Sequence, residues 1–536
     1  MSSLIFLIIA LHSPAAIRPA DMQESWAALE KRGAFISQIE IRILPVFNTQ
    51  KPKENHLIGR SANFIHIETH EKSIRPSLLF KEGECVNALR IHASERLLRS
   101  LPSVRDAEII PLTNPDGTAT AIVKIRDAWS LKLSSGLRYT GGESEWGMQI
   151  REFNLLGFGK QVQVGYKKTI DRRLSNLAYG DPFLFNSRWD FSAEYQRLSD
   201  GSSRILALNH PFFDVRTPWA AGFTSGSRNS IQTFYERDKP VYDLPSRQYV
   251  SSVNLRMLVF ASVRSALRLG IEYRVSGIRY DEFRVHLANA LPFMDKRNRS
   301  FHGPLLSLEY FQDDYITCRN IQFIEHVEDF NLGWHASIKT GVFPKSWGST
   351  EQAVYAEGSL QKGVALNSSR FLTGSSEWRG IRERGGKKHF RSQSGLTIFD
   401  QNWPHQTWML SAQFSQSLNP YPEDVVYLGG TDGLRGYMNH FRIGDERWMF
   451  TAEDRLFTNV NFWGLFKLGF VAYFDAGAVR TLSGERWSKT YASVGAGLRI
   501  GNLKSSFGRV LSLTMATPLV HEPGVKGLQI IFSAGE

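Results

Sequence analysis

From Trp129 to the C-terminus the chain keeps one rhythm, apolar and polar residues alternating with a period of two. In RWDFSAEYQ, Trp189, Phe191, Ala193 and Tyr195 alternate with Arg188, Asp190, Ser192, Glu194 and Gln196. In LRLGIEYRV, Leu267, Leu269, Ile271, Tyr273 and Val275 alternate with Arg268, Gly270, Glu272 and Arg274. Period two marks strands whose two faces meet different surroundings. A soluble sandwich alternates too, but its buried face is rarely opposed by so many charges over so many long strands. A closed antiparallel barrel with lipid outside and a polar lumen accounts for both faces, with aromatics near strand ends as interfacial girdles. About 400 residues at about 25 per strand and connection predict about 16 strands, while counting every alternating segment gives about 18 to 20.

Residues 35–128 follow another pattern. Ile39, Ile41 and Ile43 alternate with Gln38, Glu40 and Arg42, which predicts a half-buried strand. SIRPSLLF (73–80) predicts a short helix. Asn87 to Leu101 predicts a longer one, with Leu89, Ala93, Leu97 and Leu101 on the packed face and Glu95, Arg96 and Arg99 pointing away. Two strands follow, around 105–112 and 119–127, joined by the turn signal NPDG. The order β-α-α-β-β makes a small α/β domain whose exposed sheet edge suits an added strand. Ahead of it, DMQESWAALEKRG (21–33) predicts a helix, N-capped by Asp21 with Glu24 three residues on and ended by Gly33. Met22, Trp26 and Leu29 share one of its faces, which fits either a helix packed on the next domain or a plug helix.

Composition narrows the class. A chain of 536 residues with 42% hydrophobic, 12% aromatic and 22% charged positions is globular rather than disordered. A mean hydropathy of −0.26 excludes a bundle of transmembrane helices. The one long apolar run, LIFLIIALHSPAA (4–16), is short for a span and ends in small residues, so residues 1–16 are expected to be a secretory signal peptide, despite having no Lys or Arg. Residues 17–34 are then a helix and linker. Cys85 and Cys318 form no metal-ligand spacing or disulfide framework. The net charge of +12 is carried by scattered residues without a dense Lys/Arg block, which excludes a nucleic-acid partner as the leading reading.

The segment YLGGTDGLRGYMNHFRIGDERW (427–448) sets Arg435 among glycines between two alternating strands. Parity in LFKLGFVAYFDAG puts Phe466, Leu468, Phe470, Ala472 and Phe474 on the apolar face, and Lys467, Gly469, Val471, Tyr473 and Asp475 on the other. In RWMFTAEDRLF, Arg447, Thr451, Glu453 and Arg455 face inward by the same rule. If the loop folds into the lumen, Arg435 is held by Asp475, Glu453 or both through charge-assisted bonds, the glycines allowing the tight backbone. The plainer reading is an arginine lining a polar pore and glycines that merely turn.

At this point the sequence resembles the outer-membrane assembly-factor superfamily, that of BamA and TamA with the two-partner-secretion transporters. LGGTDGLRGY (428–437), with Gly429 and Gly430, is similar to the family's inward-folded loop, whose core tripeptide is here Arg435, Gly436 and Tyr437. FDAG (474–477) resembles the lumen-wall pattern loosely, with Phe474, Asp475 and Gly477. Glu453 and Arg455 match a Glu-x-Arg on the strand after the loop, SVGAGLRIG (493–501) the next Gly-rich strand, and NLLGFGK (154–160) an early turn. Residues 73–84 and the helix after them are similar to a periplasmic POTRA domain. Only one such domain fits, and the last strand ends Gly535-Glu536 without the usual terminal aromatic.

The resemblance implies a transmembrane antiparallel β-barrel (129–536) with an inward-folded loop around 420–446, preceded by one POTRA domain (35–128). It implies the outer membrane of a Gram-negative-type bacterium or a derived organelle, with the POTRA domain in the periplasm. The implied function is insertion or assembly of client β-barrel proteins, received by the POTRA edge and templated at the barrel seam. The alternative is a polypeptide-translocating secretion pore of the two-partner type. Partners would be unfolded outer-membrane or secreted polypeptides, lipid, and accessory assembly proteins. No cofactor or metal is implied. An enzyme is not expected, since there is no GxSxG, HExxH or triad spacing; a plain porin is disfavoured by the N-terminal domain.

Overall fold

The computed structural model describes residues 25–50, 55, 57–140, 143–169, 171–237, 239–286, 295–482, 486–504 and 510–534. The expected signal peptide, together with Asp21, Met22 and Glu24, lies outside the described residues.

Most of the chain forms one large antiparallel sheet of consecutive hairpins. Its strand order carries the last strand, Gln529–Ala534, back beside the first, Leu131–Thr140. The sheet is inside out compared with a soluble protein. Along one register row on its outer face, Met257, Leu269, Leu308 and Ile338 sit side by side, and all are exposed. On the next row Ile271 and Leu306 are each 59% exposed. The neighbouring residues of the same strands point inward and carry charge: Arg268 is 5% exposed and Glu272 7%. They are paired, Arg268 to Glu309 at 2.7 Å, Glu272 to Lys339 at 2.6 Å and to Arg274 at 2.7 Å. Charges leave water only when paired and hydrogen-bonded, so this polarity selects a surround that is not water.

Among the described residues the large sheet contains twenty-one strands, one of them only Arg284–Val285. This exceeds the expected number of about 16. The allowance per connection was too generous: Ser199 and Asp200 suffice between Asp190–Leu198 and Gly201–His210, and residues 262–264 between Lys239–Ala261 and Ser265–Tyr280.

The small domain is a three-stranded sheet with Ala119–Asp127 at its centre, parallel to Ile36–Leu44 and antiparallel to Val104–Thr113. Asn114 and Gly117 close the NPDG turn, Gly117 at φ +83° and donating to Asn114 O at 3.0 Å. The first helix runs Trp26–Lys31 and is capped by Ser25, whose Oγ accepts the Ala28 amide. Trp26 and Leu29 are buried in the domain's own core, and Trp26 Nε1 donates to Ile109 O at 2.8 Å. This is the packed-helix alternative, not the plug.

Three local expectations need correction. A helix at Leu57–Ile65 went unread. The predicted helix at 73–80 is instead Glu71–Ile74 followed by a single tight turn, Arg75–Ser77, because Pro76 allows only the start of a turn. The helix Ala88–Ser100 buries Ala88, Ile91, Ala93, Ser94 and Leu98, so of the expected face Ala93 and the following Leu101 are buried while Leu89 and Leu97 are only half-buried. Ser94 tolerates the core because its hydroxyl accepts the Leu79 amide and donates to Arg90 O. Arg96 and Arg99 meet the connection that follows Arg299–Gln312 rather than solvent: Arg96 pairs with Asp313 at 2.7 Å and Arg99 with Asp329 at 3.0 Å.

The same contacts fix which end of the large sheet the small domain covers. The turn in NLLGFGK docks against it, with the His70 amide donating to Gly157 O at 2.7 Å. A Cβ at Gly157, which lies at φ +79°, would stand 2.5 Å from Glu68 O. At this same end the connection between Arg299–Gln312 and His335–Phe343 carries a separate two-stranded hairpin, Tyr315–Arg319 with Val327–Asn331.

Candidate functional site

The connection between strands Gln406–Leu418 and Glu446–Phe462 folds into the interior from the other end. Its neck is a short ladder of its own, Val426–Leu428 against Arg442–Gly444. Above the neck the chain is drawn so tight that side chains would not fit. The Gly430 amide donates to Met438 O at 3.0 Å, and a Cβ on Gly429 would meet that same oxygen at 2.4 Å. Gly433 and Gly436 lie at φ +103° and +92°, where other residues are strained. Between them Leu434 is fully buried and Arg435 projects toward the wall.

Arg435 meets two carboxylates. Its Nε and Nη2 donate to Asp475 Oδ2 and Oδ1 at 2.7 and 2.8 Å, and its Nη1 donates to Glu453 Oε1 at 2.7 Å. The fork on Asp475 is the bidentate arrangement that guanidinium makes and ammonium cannot. The guanidinium also lies over the Tyr473 ring, 3.5 Å from its centroid. Asp475 is fully buried and takes a third bond, from Thr451 Oγ1 at 3.0 Å. Arg455 holds the other oxygen of Glu453, Nη2 to Oε2 at 2.6 Å, and sends Nη1 to Ile321 O at 2.6 Å on the opposite hairpin.

Gly436 lets the loop lie flat on the wall: a Cβ there would stand 3.2 Å from Ser493 Cβ and 3.3 Å from Ala516 Cβ. Tyr437 is fully buried against Phe441 and Tyr491, and its hydroxyl lies 3.0 Å from both Ala492 O and Val520 O. Gly477 makes room for Met449, whose Sδ would be 2.4 Å from a Cβ. Phe474 points to the outer face beside Phe450 and does not join the cluster.

The loop is held on the far wall too, by residues the sequence did not single out. Glu423 pairs with Arg299 and accepts from Tyr280 Oη at 2.6 Å, and Asp424 pairs with Arg379 and Arg391. At the neck Arg442 pairs with Glu236 at 3.0 Å and with Glu522, whose other oxygen accepts from Tyr491 Oη at 2.7 Å. Parity assigns these strand residues to the inner face, but which of many inward charges meets which is decided by the loop's path. Nothing in the cluster resembles a nucleophile beside a base, and among the described residues no group of three or more His, Cys, Asp or Glu could hold a metal ion. The arrangement braces a loop across an interior.

No family model matches the chain, and no curated protein matches it. Among solved structures it is similar to the BamA of Haemophilus ducreyi lacking POTRA domains 1-3, at 12% identity, over 94% of this chain and 84% of that one, with a TM-score of 0.38. It is similar to CdiB from Acinetobacter baumannii at 12% identity, over 94% of this chain and 73% of that one, with a TM-score of 0.44. For CdiB from Escherichia coli the figures are 12%, 93%, 76% and 0.46.

Proposed function

We infer that the chain is an outer-membrane β-barrel that inserts or assembles client β-barrel proteins. The small domain lies in the periplasm and receives the client, and the junction between the first and last strands templates it. The observation that carries this reading is the length of the last strand. Among the described residues Gln529–Ala534 has six, the shortest strand of the large sheet apart from Arg284–Val285. A strand of six residues offers the first strand, Leu131–Thr140, few ladder bonds, whereas elsewhere eighteen-residue Trp219–Glu236 pairs along its whole length.

A client strand cannot enter hydrocarbon with bare amides and carbonyls, each of which costs several kcal/mol. A short junction that parts lends its edges as partners at little cost. The small domain's edge strand fits the receiving step. Its first half is engaged, since the Ile36 and Ile39 amides bond Glu84 O and Glu82 Oε1, so an added strand would pair along Glu40–Leu44. No covalent chemistry is called for.

The alternative is a secretion pore of the same architecture, in which the client threads the interior instead of pairing at the junction. The test is photo-crosslinking in living cells from Leu133 on the first strand and from Gln393, which lines an interior cavity of about 750 Å³. Capture of several different barrel precursors at Leu133 is expected. One extended secreted polypeptide caught at Gln393, with nothing at Leu133, replaces the insertase by the pore.

A further inference from the structure

The hairpin Tyr315–Arg319 and Val327–Asn331 belongs to no wall. It leaves the sheet between Arg299–Gln312 and His335–Phe343, and its tip reaches strands far round the strand order. Thr407 Oγ1 donates to Asn320 O at 2.8 Å, Arg455 Nη1 to Ile321 O at 2.6 Å, and Arg499 Nη2 to Gln322 O at 2.8 Å. Lys467 pairs with Glu325. Three of these grips fall on backbone carbonyls, so the wall holds the path of the tip and not merely its side chains.

The wall is also notched to receive it. Ile324 is 1% exposed, and a Cβ on Gly501 would stand 2.6 Å from its Cβ. The tip is shaped in advance: the Glu328 carboxylate accepts the amides of Ile321, Gln322 and Phe323, and the Asn320 side chain accepts the Glu325 amide at 2.7 Å. Asn320 and Glu325 both take the left-handed region, at φ +62° and +60°. For glutamate that conformation persists only where its surroundings enforce it.

The base of the hairpin is tied to the small domain instead. Asp313 pairs with Arg96 and Asp329 with Arg99, and the Arg96 guanidinium lies 4.3 Å above the Tyr315 ring. The hairpin thus runs from the small domain across to the far strands of the wall. A cavity of about 710 Å³ lies beside it, between Arg96 and Arg99 of the small domain, His326 and Asp329 of the hairpin, and the inward-facing Arg268 and Glu309 of the wall. Another, of about 350 Å³, lies on the interior side, between Phe330, Thr373 and Ser411.

We propose that this hairpin is a plug that closes the lumen at the small domain's end and is released when the small domain moves. The proposal rests on the barrel reading given above. The two latches have opposite addresses. The tip latch, Lys467 with Glu325, belongs to the wall, and the base latch, Arg99 with Asp329, belongs to the domain that receives the client. Pulling on the base draws on a tip held by Arg455, which shares the Glu453 carboxylate with Arg435, so release at one end of the interior loosens the brace at the other.

The experiment uses the full chain in planar bilayers, read by single-channel conductance, with maleimide labelling of Cys318 in a Cys85→Ser background as a second measure. Cys318 is half-buried on the hairpin itself. Lys467→Glu and Arg99→Glu are each expected to raise conductance several-fold and to speed labelling. The charge swaps Lys467→Glu with Glu325→Lys, and Arg99→Glu with Asp329→Arg, are expected to return both toward the starting values. Replacing residues 315–331 by Gly-Ser-Gly is expected to leave the channel open. If that deletion variant migrates as a heat-modifiable barrel and conducts no more than the full chain, the plug is overturned while the barrel stands. A full chain that shows no heat-modifiable barrel overturns the barrel reading and the plug with it.

Discussion

Arg435 and Arg455 hold the two oxygens of one carboxylate: Arg435 Nη1 takes Glu453 Oε1 at 2.7 Å and Arg455 Nη2 takes Oε2 at 2.6 Å. Two guanidiniums that would repel each other are thus joined through a single acid, with Asp475 supplying the second negative charge. The group is two cations and two anions, mostly buried, and it balances only when all four are present.

Removing one member leaves the rest uncompensated. Arg435→Ala strands Asp475, which is fully buried, and is expected to cost about 3–5 kcal/mol. Arg435→Lys is expected to recover only part of that, because an ammonium cannot make the fork on Asp475. The check is the temperature at which the folded, heat-modifiable form is lost on gels. A lysine variant as stable as the unaltered chain would refute the bidentate argument.

Gly436 gives a second outcome. Gly436→Ala combines a left-handed backbone at φ +92° with a Cβ 3.2 Å from Ser493, and is expected to cost about 1–3 kcal/mol by displacing the loop from the wall. Protease susceptibility of the loop between Gly429 and Phe441 should rise in step. Ser493→Gly in the same chain relieves one contact but leaves Ala516 Cβ at 3.3 Å and the backbone strain, so it should restore part of the loss and no more.

Tyr437→Phe keeps the buried ring and deletes a hydroxyl that lies 3.0 Å from both Ala492 O and Val520 O. The expected loss is about 1–2 kcal/mol, below that of Arg435→Ala, since neutral hydrogen bonds contribute less than charged ones. Comparing the two variants by denaturant unfolding in the same detergent tests the ranking.

His326 supplies a pH dependence. Burial, and then the positive charges of Arg105, Lys132 and Arg319, push this imidazole from 6.5 down to about 4, although the Asn502 backbone partly supports its proton. The folded form therefore binds the proton less readily than the unfolded chain does. Its contribution is complete above about 6.5 and is lost as the pH falls from there toward 4. The loss on acidification reaches up to about 3 kcal/mol. Conductance should rise over that interval, and His326→Gln should flatten the rise. An unchanged acid response in the variant would remove His326 from the account.

Period two made the wall legible because a strand gives its side chains only two directions. That is enough to separate Lys467, Val471 and Tyr473 from Phe470 and Phe474 without any knowledge of neighbours. It could not reveal the hairpin at 315–331. Ile316 and Cys318 alternate with Tyr315, Thr317 and Arg319 just as wall residues do, and both kinds of strand have one apolar and one polar face. What differs is only whether the apolar face meets the surround of the sheet or Phe371 and Phe399. The helix at 88–100 was misread for a related reason. Leucine was taken as the mark of the packed face, but Ser94 sits there with its hydroxyl satisfied by the backbone on either side.

The close fit of Gly436 against Ser493 and Ala516 also sets a schedule. Everything that Arg435, Gly436 and Tyr437 touch on that wall, from Glu453 through Asp475 and Ala492 to Ala516 and Val520, comes later in the chain than the loop itself. The loop's seat on that wall is therefore made wholly of residues that follow it, and it is complete only once the last strands are laid against the loop. Like a core set in a mould, it shapes the wall that is laid against it, and a chain cut short before Ser493 would carry the loop with only part of its seat.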